Sequence, residues 1–93
     1  MLPNFLVIGV PRSATTWLYE CLREHPQIYL PETKEVRFFN RFYEQGISWY
    51  KSFFNEVNEE KAVGEITPGY LHNHKAVDRL YSHLPNCKLI VVL

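Results

Sequence analysis

Ninety-three residues leave room for one small domain, and 46% hydrophobic with 15% aromatic residues excludes the polar, charge-rich make-up of a disordered segment. Ten basic residues balance ten acidic ones without any block of like charge, which argues against nucleic acid or an anionic membrane as a bulk partner and makes any anion site local. Cys21 and Cys87 have neither zinc spacing nor the density of a disulfide scaffold, and neither a signal-peptide pattern nor an apolar run of about 18 residues occurs, so a soluble chain in a reducing, cytoplasmic compartment is expected.

Phe5 to Val10 is a nearly continuous apolar run ending at Gly9 and Pro11, which predicts a strand covered on both faces of a parallel sheet. From Thr15 or Thr16 to Glu24 the pattern is helical, with Leu18, Cys21 and Leu22 expected on the buried face and His25-Pro26 as the stop. Pro31 to Asn40 reads as a loop with one helical turn. Ser48 to Phe54 carries Trp49, Tyr50, Phe53 and Phe54 as a broad apolar stripe, a short helix with Ser48 as its expected N-cap. Ala62 to Glu65 is a short strand before the Thr67-Pro68-Gly69 turn. Ala76, Val77, Leu80, Tyr81 and Leu84 then share one helical face between about His74 and Leu84, and Cys87 to Leu93 is a last apolar strand. Strands alternating with helices predict an α/β fold with a parallel sheet and crossover helices.

The informative stretch is the loop after the first strand. A strand passing through a tight loop into a helix N-terminus is a ready anion site, because the first helical N–H groups lack partners within the helix. Arg12 adds a fixed positive charge, and Ser13, Thr15 and Thr16 add hydroxyl donors suited to phosphate or sulfate. The nucleotide pattern G-x-x-x-x-G-K-[ST] is not satisfied, since Val-Pro-Arg-Ser-Ala-Thr-Thr follows Gly9, and a kinase-like phosphotransferase is disfavoured.

Pro11 to Leu18, PRSATTWL, resembles the 5′-phosphosulfate loop of sulfotransferases that use 3′-phosphoadenosine 5′-phosphosulfate (PAPS), whose pattern is Pro-(Lys/Arg)-Ser-Gly-Thr-Thr-x-Leu. Lys34 to Asn40, KEVRFFN, resembles the Lys-Glu-x-x-Phe-Phe segment of the heparan sulfate sulfotransferase branch; GISWYKSFF resembles its Gly-x-x-Trp-Tyr segment, and Gly64 to Leu71, GEITPGYL, its Glu-Lys-(Ser/Thr)-Pro-x-Tyr segment. The resemblance implies residues 1–93 as the N-terminal part of a P-loop-like, three-layer α/β sulfotransferase domain. It implies that Arg12, Ser13, Ala14, Thr15 and Thr16 bind the phosphosulfate, that Trp17 packs near the adenine and that Glu35 is the general base, with Arg12 also stabilising the leaving group. The reaction implied is sulfuryl transfer from PAPS to a hydroxyl or amine of a carbohydrate or small molecule. Positioned donors, a cation at the leaving phosphate and a base at the acceptor suffice for it, and no metal is required.

Three departures stand out. Arg12 occupies a position where many members have lysine, keeping the charge but losing a titratable donor. Ala14 replaces the loop glycine, which costs on the order of 1 kcal/mol if the position has positive φ. Ile66 replaces the lysine of the Glu-Lys-Thr-Pro segment, which argues against a heparan-like acidic acceptor. Family members also continue from the last strand into Arg-Asp-Pro-x-x-Arg, which binds the 3′-phosphate. The expectation is therefore a fragment with one half of the cofactor site, weak in PAPS binding; the alternative is a truncated, non-catalytic remnant with at most weak anion binding.

Other candidates have simpler readings. Glu65, at a strand end, orients the loop or the base, or serves a structural hydrogen bond. His72 and His74 belong to the start of the next helix rather than to a metal site. Phe38 and Phe39 anchor the Glu35 segment.

Overall fold

The computed structural model describes residues 1–12 and 14–93. Among them four strands form one sheet: β1 (Phe5–Gly9), β2 (Ile28–Tyr29), β3 (Ala62–Ile66) and β4 (Lys88–Val91), in the order β2-β3-β1-β4. Every pairing is parallel, with Phe5 opposite Gly64 on one side of β1 and opposite Lys88 on the other. β1 leads through α1 (Thr15–Arg23) to β2, and β3 through α3 (His74–His83) to β4, while the paired strands β2 and β3 are joined by the longer segment between them.

Because successive strand residues point to opposite faces, β1 feeds two cores. Val7 packs with Ile66, Tyr19 and Leu30 on the α1 side. Leu6 and Ile8 pack on the other side with Val36, Phe38, Phe39, Tyr50, Phe54, Tyr70 and the α3 residues Ala76, Leu80 and Leu84. Helical layers thus cover both faces of β1 and β3, the three-layer α/β arrangement expected.

Local departures have physical causes. The buried face of α1 is Thr15 and Tyr19, with Leu18 and Leu22 half-buried, and Cys21 lies exposed on the flank rather than in the core. Tyr19 goes inward because its hydroxyl donates to the carbonyls of Pro31 and Glu32, at 2.5 and 2.8 Å, so the ring is buried without orphaning its polar end. Ser48 is not a cap: α2 (Ile47–Lys51) begins after Gly46, which takes φ 91°, and ends in a 3₁₀ turn, Ser52–Phe54. The single turn expected before Asn40 is a π-helical turn over Phe38–Phe42. Asn73 caps α3 by accepting the Ala76 N–H at 3.0 Å. Leu89, Ile90 and Val91 of the edge strand β4 are exposed.

Candidate functional site

The loop after β1 leaves the sheet at the C-terminal ends of the strands, where open parallel sheets place their ligand crevices. Arg12 and Ala14 both have left-handed backbone, φ 66° and 62°, so the chain coils tightly before α1. Among the described residues no side chain caps this helix, whose first-turn N–H groups lack partners within the helix. Thr15 is buried; Arg12, Ala14 and Thr16 are exposed. Trp17 is 68% exposed, its indole free of the core. Ser13 lies outside the described residues.

Facing the loop is the segment before the π-helical turn. Pro11, Arg12, Ala14, Thr15 and Thr16 form one wall of a cleft of about 440 Å³, with Lys34, Glu35, Pro68 and Gly69 forming the other. Glu35 is half-buried between two cations: Oε2 lies 3.5 Å from Lys34 Nζ, and Oε1 lies 3.4 Å from Arg37 Nε. Lys34 Nζ also reaches across the cleft to Thr15 Oγ1, 3.5 Å away. Of the residues expected at the phosphosulfate, Arg12, Ala14, Thr15 and Thr16 therefore share one cleft with the expected base Glu35.

Beneath Glu35 lies a network built on Glu65. Its side chain is fully buried on β3, on the same sheet face as Leu6. It accepts from Thr67 Oγ1 at 2.6 Å, from the Tyr70 hydroxyl at 3.1 Å to each oxygen, and from the Tyr50 hydroxyl. Burial raises the Glu65 carboxyl above the ordinary carboxylate value, and the three hydroxyl donors oppose that rise. Both tyrosines are held above their ordinary values, by burial first and then by the Glu65 charge. The same hydroxyls also accept: the Arg37 N–H donates to Thr67 Oγ1 at 3.3 Å and the Phe39 N–H to Tyr70 at 3.4 Å. Glu65 thereby fixes the backbone just after Glu35, where Arg37 takes a left-handed φ of 59°. In the sequence Glu65 has two readings, orienting the loop or the base or a structural hydrogen bond, Tyr50 reads as core and Thr67 as a turn residue, and Arg37 and Tyr70 carry no signal of their own. The one signal was a carboxylate inside the apolar strand AVGEI, which must be partnered.

Burial, followed by the Glu65 charge, pushes the Cys87 thiol up to about 11, far from a reactive thiolate. Among the described residues no three His, Cys, Asp or Glu side chains group as metal ligands. Ile66 is fully buried against Val7, on the sheet face opposite Glu65, and sends no side chain to the cleft.

The sequence pattern of the sulfotransferase family matches residues 3–70. The chain belongs to the sulfotransferase family. This sulfotransferase-family chain is 43% identical over 95 residues to the membrane-associated sulfotransferase kil1 of Dictyostelium discoideum, covering 99% of the chain and 20% of that protein. It is 36% identical over 91 residues to human heparan sulfate glucosamine 3-O-sulfotransferase 6, covering 98% of the chain and 26% of the relative. With mouse bifunctional heparan sulfate N-deacetylase/N-sulfotransferase 4 it shares 40% identity over 100 residues, 99% of the chain and 12% of the relative. A sulfotransferase crystal structure from Alicyclobacillus acidocaldarius superposes with a TM-score of 0.87 at 29% identity, covering 98% of the chain and 44% of that protein. The chain thus spans a quarter or less of the length of most of these curated relatives, and its P-loop-like α/β fold is that of a sulfotransferase.

Proposed function

We propose that this chain carries the phosphosulfate-binding half of a sulfotransferase site and that the reaction is sulfuryl transfer from PAPS to a carbohydrate hydroxyl or amine. The observation that carries the reading is the shared cleft: a tight loop with Arg12, the start of α1 and the Thr15 and Thr16 hydroxyls on one wall, and Glu35 on the other. This donor set fits a phosphosulfate in charge and in donor number. PAPS supplies an activated sulfuryl group whose departure leaves negative charge on the 5′-phosphate. Arg12 and the first turn of α1 hold that phosphate, Trp17 offers a ring for the adenine, and Glu35 takes the acceptor's proton. No step needs a metal.

A saccharide acceptor is supported by relatives named for heparan sulfate glucosamine. The position of Ile66 in the core supports an acceptor less acidic than heparan. One relative is described as membrane-associated. Among the described residues no helix is long and apolar enough to cross a membrane. The reading of a non-catalytic remnant draws no support from the relatives.

The test is transfer of labelled sulfate from PAPS to a panel of hydroxyl- and amine-bearing saccharides, comparing wild type with Glu35→Gln. Loss of about 10²–10⁴-fold in kcat with PAPS affinity retained is expected of a removed general base. Equal transfer by both proteins removes Glu35 from that role, and absence of PAPS binding by the wild type removes the reaction.

A further inference from the structure

Lys34 is the cleft's second cation, and Glu35 does not need it. The carboxylate already has Arg37 against Oε1, so the Lys34 charge at Oε2 is surplus to neutralising it. The ammonium sits 3.5 Å from Thr15 Oγ1 on one side and 3.5 Å from Glu35 on the other, spanning the gap between the anion loop and the base. Any group passing from the loop to an acceptor beside Glu35 crosses that gap. At 22% side-chain exposure the charge is only weakly screened by water. Arg12 is confined to the loop side, and Ile66 points into the opposite core.

We infer that Lys34 is a catalytic residue of the sulfuryl transfer proposed above, on which the inference rests: its ammonium holds the sulfuryl oxygens during transfer and links the base to the leaving group. Before transfer the ammonium is shared between the Thr15 hydroxyl and the Glu35 carboxylate. As the acceptor oxygen or nitrogen bonds to sulfur, the sulfur–oxygen bond to the 5′-phosphate breaks and its electron pair stays on the phosphate oxygen. The acceptor's proton goes to Glu35, whose charge vanishes. Lys34 keeps its protons, and its field, released from Glu35, falls on the charge collecting at the sulfuryl and phosphate oxygens.

The experiment compares wild type, Lys34→Ala and Lys34→Arg in two readouts: equilibrium affinity for PAPS and for adenosine 3′,5′-bisphosphate, which lacks the sulfuryl group, and kcat for transfer. Lys34→Ala is expected to lower kcat about 10²-fold, to erase the preference for PAPS over the bisphosphate and to leave bisphosphate affinity unchanged, with partial recovery in Lys34→Arg. A variant that keeps wild-type kcat and preference overturns the role of Lys34 while the transfer reading stands. One that loses both nucleotides equally, or melts at lower temperature in parallel with its activity, overturns it in favour of a structural ion pair. If wild type binds neither nucleotide, the transfer reading fails, and the Lys34 role fails with it.

Discussion

Ala14, at φ 62° and ψ 26°, occupies the left-handed region without a side-chain cap to offset the strain of its methyl group. Glycine there relieves a penalty of about 1–2 kcal/mol but adds freedom to the unfolded chain, so Ala14→Gly should raise stability by a net of about 0.5–1 kcal/mol, read as an increased melting temperature. A lower melting temperature would mean that the methyl group packs usefully in the loop. Glu65 allows a prediction in pH. Its carboxyl is raised in the folded chain, so the fold binds its proton more tightly than the unfolded chain does. Its contribution to stability is therefore fully present below the ordinary carboxylate value and is lost as pH rises through the raised one. Glu65→Gln removes that titration: whatever its overall cost, the stability of wild type relative to the variant should fall from mildly acid towards neutral pH in chemical denaturation. A constant difference would place Glu65 in an environment where its charge is fully compensated.

Among the elements, those with a clear period were legible and those fixed by tertiary contacts were not. The apolar run of β1, the period of α3 and the short β3 carry their own signals and form where expected, but Tyr81, expected on the buried face of α3 with Ala76, Leu80 and Leu84, is 72% exposed. The two-residue β2 has no pattern of its own and exists because Ile28 and Tyr29 pair with Ala62 and Val63. The buried face of α1 was misread because a tyrosine with two carbonyl acceptors outcompetes a cysteine for the interior. In the site, the loop and Glu35 were legible from short motifs. The Glu65 network was not, since it joins residues 15 positions apart through hydroxyls that read as aromatic core. The β1–β3 pairing rests on a glycine. A Cβ on Gly64 would lie 2.5 Å from the Phe5 ring, so Gly64→Ala should destabilise the fold by about 1–3 kcal/mol. Combining it with Phe5→Ala should cost less than the two single changes added together. Simple additivity in denaturant melts would show that the ring moves aside without penalty.

For the whole molecule, the strand order places β1 between β3 and β4 and brings the β1 loop, the turn after β3 and the Lys34–Glu35 segment to one side of the sheet. The same order leaves β4 at an edge with Leu89, Ile90 and Val91 exposed, a surface open to strand pairing. The isolated chain should therefore self-associate with rising concentration, and Ile90→Lys should reduce this in sedimentation experiments; equal association by both proteins would assign it to another surface. The central claim is that the cleft between the β1 loop and Glu35 receives the phosphosulfate. The most direct measurement is an NMR titration of the chain with PAPS, following each backbone amide. The account predicts weak, saturable shifts centred on Ala14, Thr15, Thr16, Lys34 and Glu35, abolished by Arg12→Ala. Shifts centred elsewhere, such as the cleft between Arg23 and Glu56 on the far side of Tyr29, or shifts that persist unchanged in Arg12→Ala, would contradict it.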